Sequence, residues 1–194
     1  MSHFTELTQQ IAQCQICAPS LSEGCRPVIQ VHPEAKILII GQAPGRKVHQ
    51  TGVAFNDASG DRLRAWLGME RHQFYDPTLL AIMPMGFCYP GKGKSGDLPP
   101  RKECAPTWHQ PLLQHLPNIE LILLIGQYAQ QYYLADKPKT LTETVQAWQQ
   151  FAPRMLPLPH PSPRNNIWLK NNPWFEQQVI PYLQQSVSAL IHRN

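Results

Sequence analysis

Residues 37–40 read Ile-Leu-Ile-Ile, four apolar side chains in a row, and Gly41 ends the run. A strand without polar alternation has to be covered on both faces. That requirement selects a parallel-type sheet clothed by helices over a sheet with one wet face. The chain then enters a polar loop, GQAPGRKVHQTGVAFNDASG, punctuated by Pro44, Gly45 and Gly52. Helical spacing resumes with Leu63, Trp66 and Leu67. Buried strand, glycine-rich loop and helix together are how an open α/β sheet builds a ligand crevice at a strand's carboxyl end.

The rest of the chain supplies neighbours for this strand. Leu79–Met85, Leu121–Ile125 and Met155–Leu158 read as three more apolar strands. Ser2 is placed to cap an amphipathic helix carrying Phe4, Leu7 and Ile11. Further helices are expected from Ser59 or Gly60 to Gly68, and from Glu103 to His115 with Trp108, Leu112 and Leu113 buried. Others are expected after Gly126 through Ala129 and Tyr133, around Val145 and Trp148, and from Pro173 through Phe175, Val179, Ile180, Leu183 and Val187. Residues 86–103 read as one long loop. Strands alternating with helices predict a parallel-type sheet covered on both faces.

At 194 residues, 42% hydrophobic and 15% charged, the chain is expected to form a single domain over 1–194. Its 20 prolines gather between Pro84 and Pro106 and between Pro153 and Pro163, predicting long, stiff connections. The net charge of +4 is compatible with a polyanion partner without requiring one. The N-terminus has no basic start followed by an apolar core, and no run approaches the roughly 18 apolar residues of a membrane span. A cytoplasmic protein with reduced cysteines and no membrane contact is therefore expected.

Cys14 and Cys17 form a close pair, and Cys88 and Cys104 a wider one far along the chain. Four thiolates in two pairs suit a tetrahedral zinc or an iron–sulfur cluster. Unrelated reduced core cysteines are the alternative. Cys25 is either a buried thiol or a replacement for one of the four.

These residues together resemble the uracil-DNA glycosylase superfamily, and especially its iron–sulfur families 4 and 5. Gly41-Gln42-Ala43-Pro44-Gly45 resembles the first motif, Thr51-Gly-Val-Ala-Phe55 the segment whose aromatic ring stacks on an extruded base, and His160-Pro-Ser-Pro163 the second motif. Cys14, Cys17, Cys88 and Cys104 fall in the spacing of the four cluster ligands. The resemblance implies a three-layer α/β/α fold around a central parallel four-stranded sheet. It also implies a structural [4Fe-4S] cluster in place of zinc, and a monomer acting on DNA with a flipped-out base. Phe55-Asn-Asp57-Ala-Ser-Gly-Asp61 and the asparagine after His-Pro-Ser resemble family 5, although this chain is one residue shorter in the first segment. Pro84 stands where family 4 places the asparagine that reads the uracil edge, and Ala43 stands where family 1 has an aspartate.

Cleaving an N-glycosidic bond requires the base to leave the stack, its departing charge to be stabilised and water to attack the sugar. Phe55 is the expected stacking ring, with an ordinary core phenylalanine as the alternative; stacking returns roughly 1–3 kcal/mol per base. His160, fixed by Pro161, is the expected donor to the departing oxygen. Asp57 is the expected carboxylate for the water or the sugar, with Asp61 as the alternative if it does not instead cap the following helix. Gln42 is expected to offer a backbone N–H to the base, Ser162 and the N–H groups near Gly45 to meet phosphate, and Asn165 to contact water or phosphate. Arg46, Lys47, Lys92, Lys94, Arg101, Lys102 and Arg164 would give the same rim a positive field. Arg164 or Ile167 would wedge into the vacated stack. The reading is a monofunctional glycosylase that removes uracil, or other deaminated bases, in base excision repair. A non-catalytic DNA- or nucleobase-binding protein on the same scaffold is the alternative.

Overall fold

The computed structural model describes residues 2–192. Its centre is a four-stranded parallel sheet of β1 (Ile37–Ile40), β2 (Leu80–Ile82), β5 (Leu121–Ile125) and β6 (Met155–Leu158), in the order β2-β1-β5-β6. A separate hairpin pairs β3 (Lys92–Gly93) with β4 (Gly96–Asp97). Alternate side chains of the sheet enter two different cores. Ile37, Ile39, Leu121, Leu123 and Leu158 face one side, and Leu38, Ile40, Ile122 and Leu124 the other. A continuous apolar run is thus two half-buried faces superimposed, as a sheet covered on both sides requires.

The first core is closed by α3 (Ala58–Leu67), the one-turn α4 (Arg71–Phe74), α7 (Leu141–Gln146) and α9 (Ile180–Ile191). The second is closed by α1 (His3–Ala12), α5 (Cys104–Gln114) and α6 (Gln127–Tyr133). This is the three-layer arrangement. The edge of β2 is covered by residues near Gln30, whose backbone exchanges two hydrogen bonds with Ile82 at 2.6 and 2.9 Å.

Several local expectations are corrected. The polar loop after β1 contains a helix, α2 (Arg46–Thr51), ended by Gly52 in the left-handed region. The second strand stops at Ile82 because Pro84 has no N–H for the ladder. The 86–103 loop is interrupted by the β3–β4 hairpin. Trp108 and Leu113 are half-buried, and His109 occupies the inner face of α5 instead. The final helix begins as a π-helical turn over Phe175–Val179 and is preceded by α8 (Asn166–Asn171).

The strand order places the site. The chain leaves β1 for β2 on one side, while β5 lies on the other, so the crevice opens between the carboxyl ends of β1 and β5. The loop after β1 begins at Gly41. The loop after β6 carries His160, whose Cβ lies 3.9 Å from where a Cβ on Gly126, at the end of β5, would stand.

Candidate functional site

A cavity of about 450 Å³ opens at this rim. Gly41, Gln42, Ala43, Phe55, Asp57, His160, Ser162 and Asn165, the candidate catalytic and substrate-binding residues, all line it. The β3–β4 hairpin also contributes to the wall, through Ser95, Gly96 and Asp97.

Phe55 is held in an unusual backbone conformation, with φ of 52°. A bulky side chain adopts that region only when its surroundings impose it, at about 1–3 kcal/mol. Here the surroundings converge on its carbonyl. Tyr75 Oη donates to it at 3.3 Å and the buried Arg64 guanidinium at 3.4 Å. Gly60 packs so closely beneath that any Cβ at position 60 would collide with the Phe55 carbonyl oxygen. The ring meets Phe74 edge-on at 6.1 Å, and its Cζ lies 3.4 Å from the position of a Cβ on Gly41. A β-carbon at 41 would therefore rest against the ring in van der Waals contact.

Asp57 is the N-cap of α3; its Oδ1 accepts from the Gly60 N–H at 2.9 Å. This removes Asp61 from the capping role considered for it. Asp61 lies one turn along, exposed, and pairs with Arg64. Among the described residues the second oxygen of Asp57 has no backbone partner, and the cap fixes the carboxylate at the cavity wall.

His160 is oriented by its own loop. Its Nδ1 accepts from the Ser162 N–H at 3.2 Å, and Asn165 Nδ2 donates to its carbonyl oxygen at 2.7 Å. An Nδ1 that accepts leaves the proton of a neutral ring on Nε2. Burial lowers the pKa of His160, and the charges of Asp57 and Asp97 pull it partway back. Ser162 Oγ accepts from the Arg164 N–H, and Arg62 of α3 donates to the Ser162 carbonyl oxygen at 3.1 Å and to Asn166 Oδ1 at 2.7 Å. One arginine thus joins the helix that carries Asp57 to the loop that carries His160.

The cations expected at the rim divide. Arg46 pairs with Glu23, Arg101 pairs with Glu103 at 2.7 Å, and Arg164 donates to the Ser95 carbonyl oxygen at 3.3 Å. Lys47, Lys92, Lys94 and Lys102 are exposed. Ile167 is 74% exposed beside the His160 loop.

All five cysteines line a second, smaller cavity between the N-terminal segment and the 86–104 loop. The Cys88 and Cys104 thiols are pushed up to about 12, chiefly by burial, with the neighbouring thiols adding to the effect. Among the described residues, no group of three or more His, Cys, Asp or Glu is arranged to hold a single metal ion.

The family model described as the uracil DNA glycosylase superfamily matches residues 29–184. The chain belongs to that superfamily. Its fold is also similar to the solution structure of a Methanosarcina acetivorans protein provisionally described as a uracil DNA glycosylase. The two are 16% identical with a TM-score of 0.50, and the match covers 83% of this chain and 97% of that one. As in other members of the uracil DNA glycosylase superfamily, the expected partner is DNA, and no helix among the described residues is long and apolar enough to cross a membrane.

Three residues that build or line this cavity were not anticipated from sequence: Arg62, Arg64 and Asp97. Nothing in local pattern marks them, because each acts across a gap in the chain. The glycine at 96, two residues after a lysine, was the available sign of the hairpin that carries Asp97.

Proposed function

We propose that the protein is a monofunctional DNA glycosylase that hydrolyses the N-glycosidic bond of uracil, or of a related deaminated base, flipped out of DNA. The observation that carries the reading is the convergence of Phe55, Asp57 and His160 on one open, base-sized cavity. A filled cavity, or an Asp57 directed to solvent, would have favoured the binding-only alternative.

The base enters the cavity and lies against the Phe55 ring. As the glycosidic bond breaks, the bonding pair moves onto the base, and negative charge grows on its O2. The Nε2–H of a neutral His160 donates to that oxygen and stabilises the departing anion; one such donor is worth about 10²–10³ in rate. The carboxylate of Asp57 stabilises the positive sugar and orients water toward its anomeric carbon. The water gives its proton to the Asp57 carboxylate as it adds, and the departed base anion takes up a proton, leaving an abasic sugar and a free neutral base. Gly41, Gln42 and Ala43 shape the wall behind the base, while Ser162 and the exposed lysines meet the phosphates. Asn165 supports the His160 loop. Ile167 is the wedge, since the Arg164 guanidinium is engaged by the hairpin.

Cys14, Cys17, Cys88 and Cys104 would hold the structural [4Fe-4S] cluster. Five thiols around one cavity, with no carboxylate or imidazole among them, fit a soft iron–sulfur group. A zinc ion needs four sulfurs about 2.3 Å from one point. A cubane spreads its ligands over four irons, which suits thiols not gathered around a single point. Such a group would tie the N-terminal segment to the 86–104 loop and would take no part in bond cleavage. A monomer working in the reducing cytoplasm agrees with these thiols.

The test is release of labelled uracil from an oligonucleotide. Wild type should release it, and His160→Ala and Asp57→Ala should each slow release at least about tenfold. Equal rates in both variants would remove the site assignment, and tight binding without release would leave the binding-only protein.

A further inference from the structure

We infer that Asp97 reads the base: its carboxylate accepts the ring N–H of a lactam-type base, such as uracil or hypoxanthine, held in the cavity. The inference rests on the glycosylase reading and adds a specificity-determining residue to it.

Most polar side chains of the cavity already have partners within the protein. One oxygen of Asp57 caps α3, Asn165 is bound to the His160 carbonyl, and Arg164 to the hairpin. The Pro84 carbonyl, where the asparagine of family 4 would stand, accepts from Nε2 of the buried His109 at 3.0 Å. A selective site for a deaminated base still needs an acceptor for the ring N–H, because that hydrogen distinguishes the lactam from the amino base it came from.

Asp97 answers that description. It lies on β4 of the β3–β4 hairpin and lines the same cavity as His160. Its Oδ1 accepts from Oη of the buried Tyr89 at 3.3 Å, so one oxygen is fixed from behind. Its Oδ2 lies 3.7 Å from where a Cβ on Gly45 would stand, at the edge of the first-motif loop. Position 45 has no side chain, so nothing there screens this oxygen from the cavity. The hairpin is secured by Arg164, whose Nη1 bonds the Ser95 carbonyl and fills the space where any side chain at 96 would project. Gly96, with φ of +145°, is the residue that permits this contact.

An ionised carboxylate only accepts hydrogen bonds, whereas a neutral His160 donates one at Nε2. A carbonyl beside an N–H matches that pair, and the matching ring nitrogen of cytosine or adenine, a lone pair, is repelled by Asp97. Sites built to bond a hydrogen reject analogues that lack it more strongly than sites built on shape.

The experiment compares oligonucleotides carrying 2′-deoxyuridine and its N3-methyl derivative, which lacks the ring N–H. The same pair is also made as 2′-fluoroarabino nucleotides, whose glycosidic bond resists cleavage, for binding. Wild type should prefer the unmethylated base by about 10²-fold in release and in affinity. In Asp97→Ala the preference should fall at least tenfold, with the methylated substrate little changed. Tyr89→Phe, which frees Asp97 from its support, should show a smaller fall. An Asp97→Ala variant that keeps the wild-type preference would overturn the inference. Absence of release by wild type would overturn the glycosylase reading alone, because the fluorinated pair still measures the preference through binding.

Discussion

The backbone N–H of Ser162 donates to Nδ1 of His160 at 3.2 Å, which makes that nitrogen an acceptor and gives the ring proton to Nε2. Burial lowers the pKa of the same ring. A base with a lowered pKa stays neutral at pH values below its ordinary 6.5. Protonating Nδ1 would set its hydrogen against the Ser162 N–H and disturb the loop that aims the ring, so the acid limb of kcat/KM governed by His160 should lie below pH 6.5, and nitrogen NMR of the ring should report the Nε2–H form at neutral pH. A midpoint above 6.5 would contradict the assignment.

Asp57 caps α3 and, in the proposed reaction, also serves the sugar and the water, and two substitutions separate these duties. Asparagine caps a helix about as well as aspartate, whereas alanine costs about 1 kcal/mol. Asp57→Asn should keep the melting temperature and still lose at least about tenfold in kcat. Asp57→Ala should lose the same activity and melt a few degrees lower, read by thermal denaturation.

The seat of Phe55 is sensitive from below. Gly60→Ala introduces a methyl group into the Phe55 carbonyl oxygen. The backbone there must shift, so destabilisation of about 1–3 kcal/mol is expected, with loss of activity. Phe55→Ala leaves that seat intact and removes the ring. It should weaken binding of an extruded base by roughly 1–3 kcal/mol, about 5- to 150-fold in Kd. Fluorescence anisotropy with an uncleavable substrate measures it.

His109 gives the fold a pH dependence of its own. It is 1% exposed, its Nε2 donates to Pro84, and Tyr133 Oη donates to its Nδ1 at 2.6 Å. Burial lowers its pKa to about 4 from 6.5. The unfolded chain then binds the extra proton first, so stability falls as pH drops from about 6.5 toward 4. The loss approaches about 3.5 kcal/mol below both values, from 2.5 pH units at about 1.4 kcal/mol each. His109→Gln should flatten that slope in urea denaturation series.

The sheet was legible because its strands are unbroken apolar runs closed by glycine or proline. Ile37–Ile40 and Leu121–Ile125 needed no context. The two motif loops, carrying Phe55 and His160, were legible through their resemblance to known glycosylases. What escaped was structure made by contacts between distant segments. The six-residue α2 has too few turns to show a period, and the β3–β4 hairpin has two residues per strand. Asp97 looked like one charge in a polar loop, and its meaning comes from Tyr89, Gly45 and Arg164. His109 lay beside the more conspicuous Trp108 on α5. The sequence pointed to the bulkier indole, while the imidazole took the inner face because two buried oxygens partner it.

Gly45 and Gly60 look interchangeable on paper, yet they differ in what they permit to change. Position 60 is closed to every residue with a β-carbon, because the chain above it has nowhere to retreat. Position 45 has an ordinary φ of −79°, and a β-carbon there would meet the Asp97 carboxylate in ordinary contact at 3.7 Å. New base preferences, in nature or in the laboratory, can arise by growing a side chain at 45 toward that carboxylate. One glycine is an anchor for the ring, and the other is the place where this pocket can be retuned.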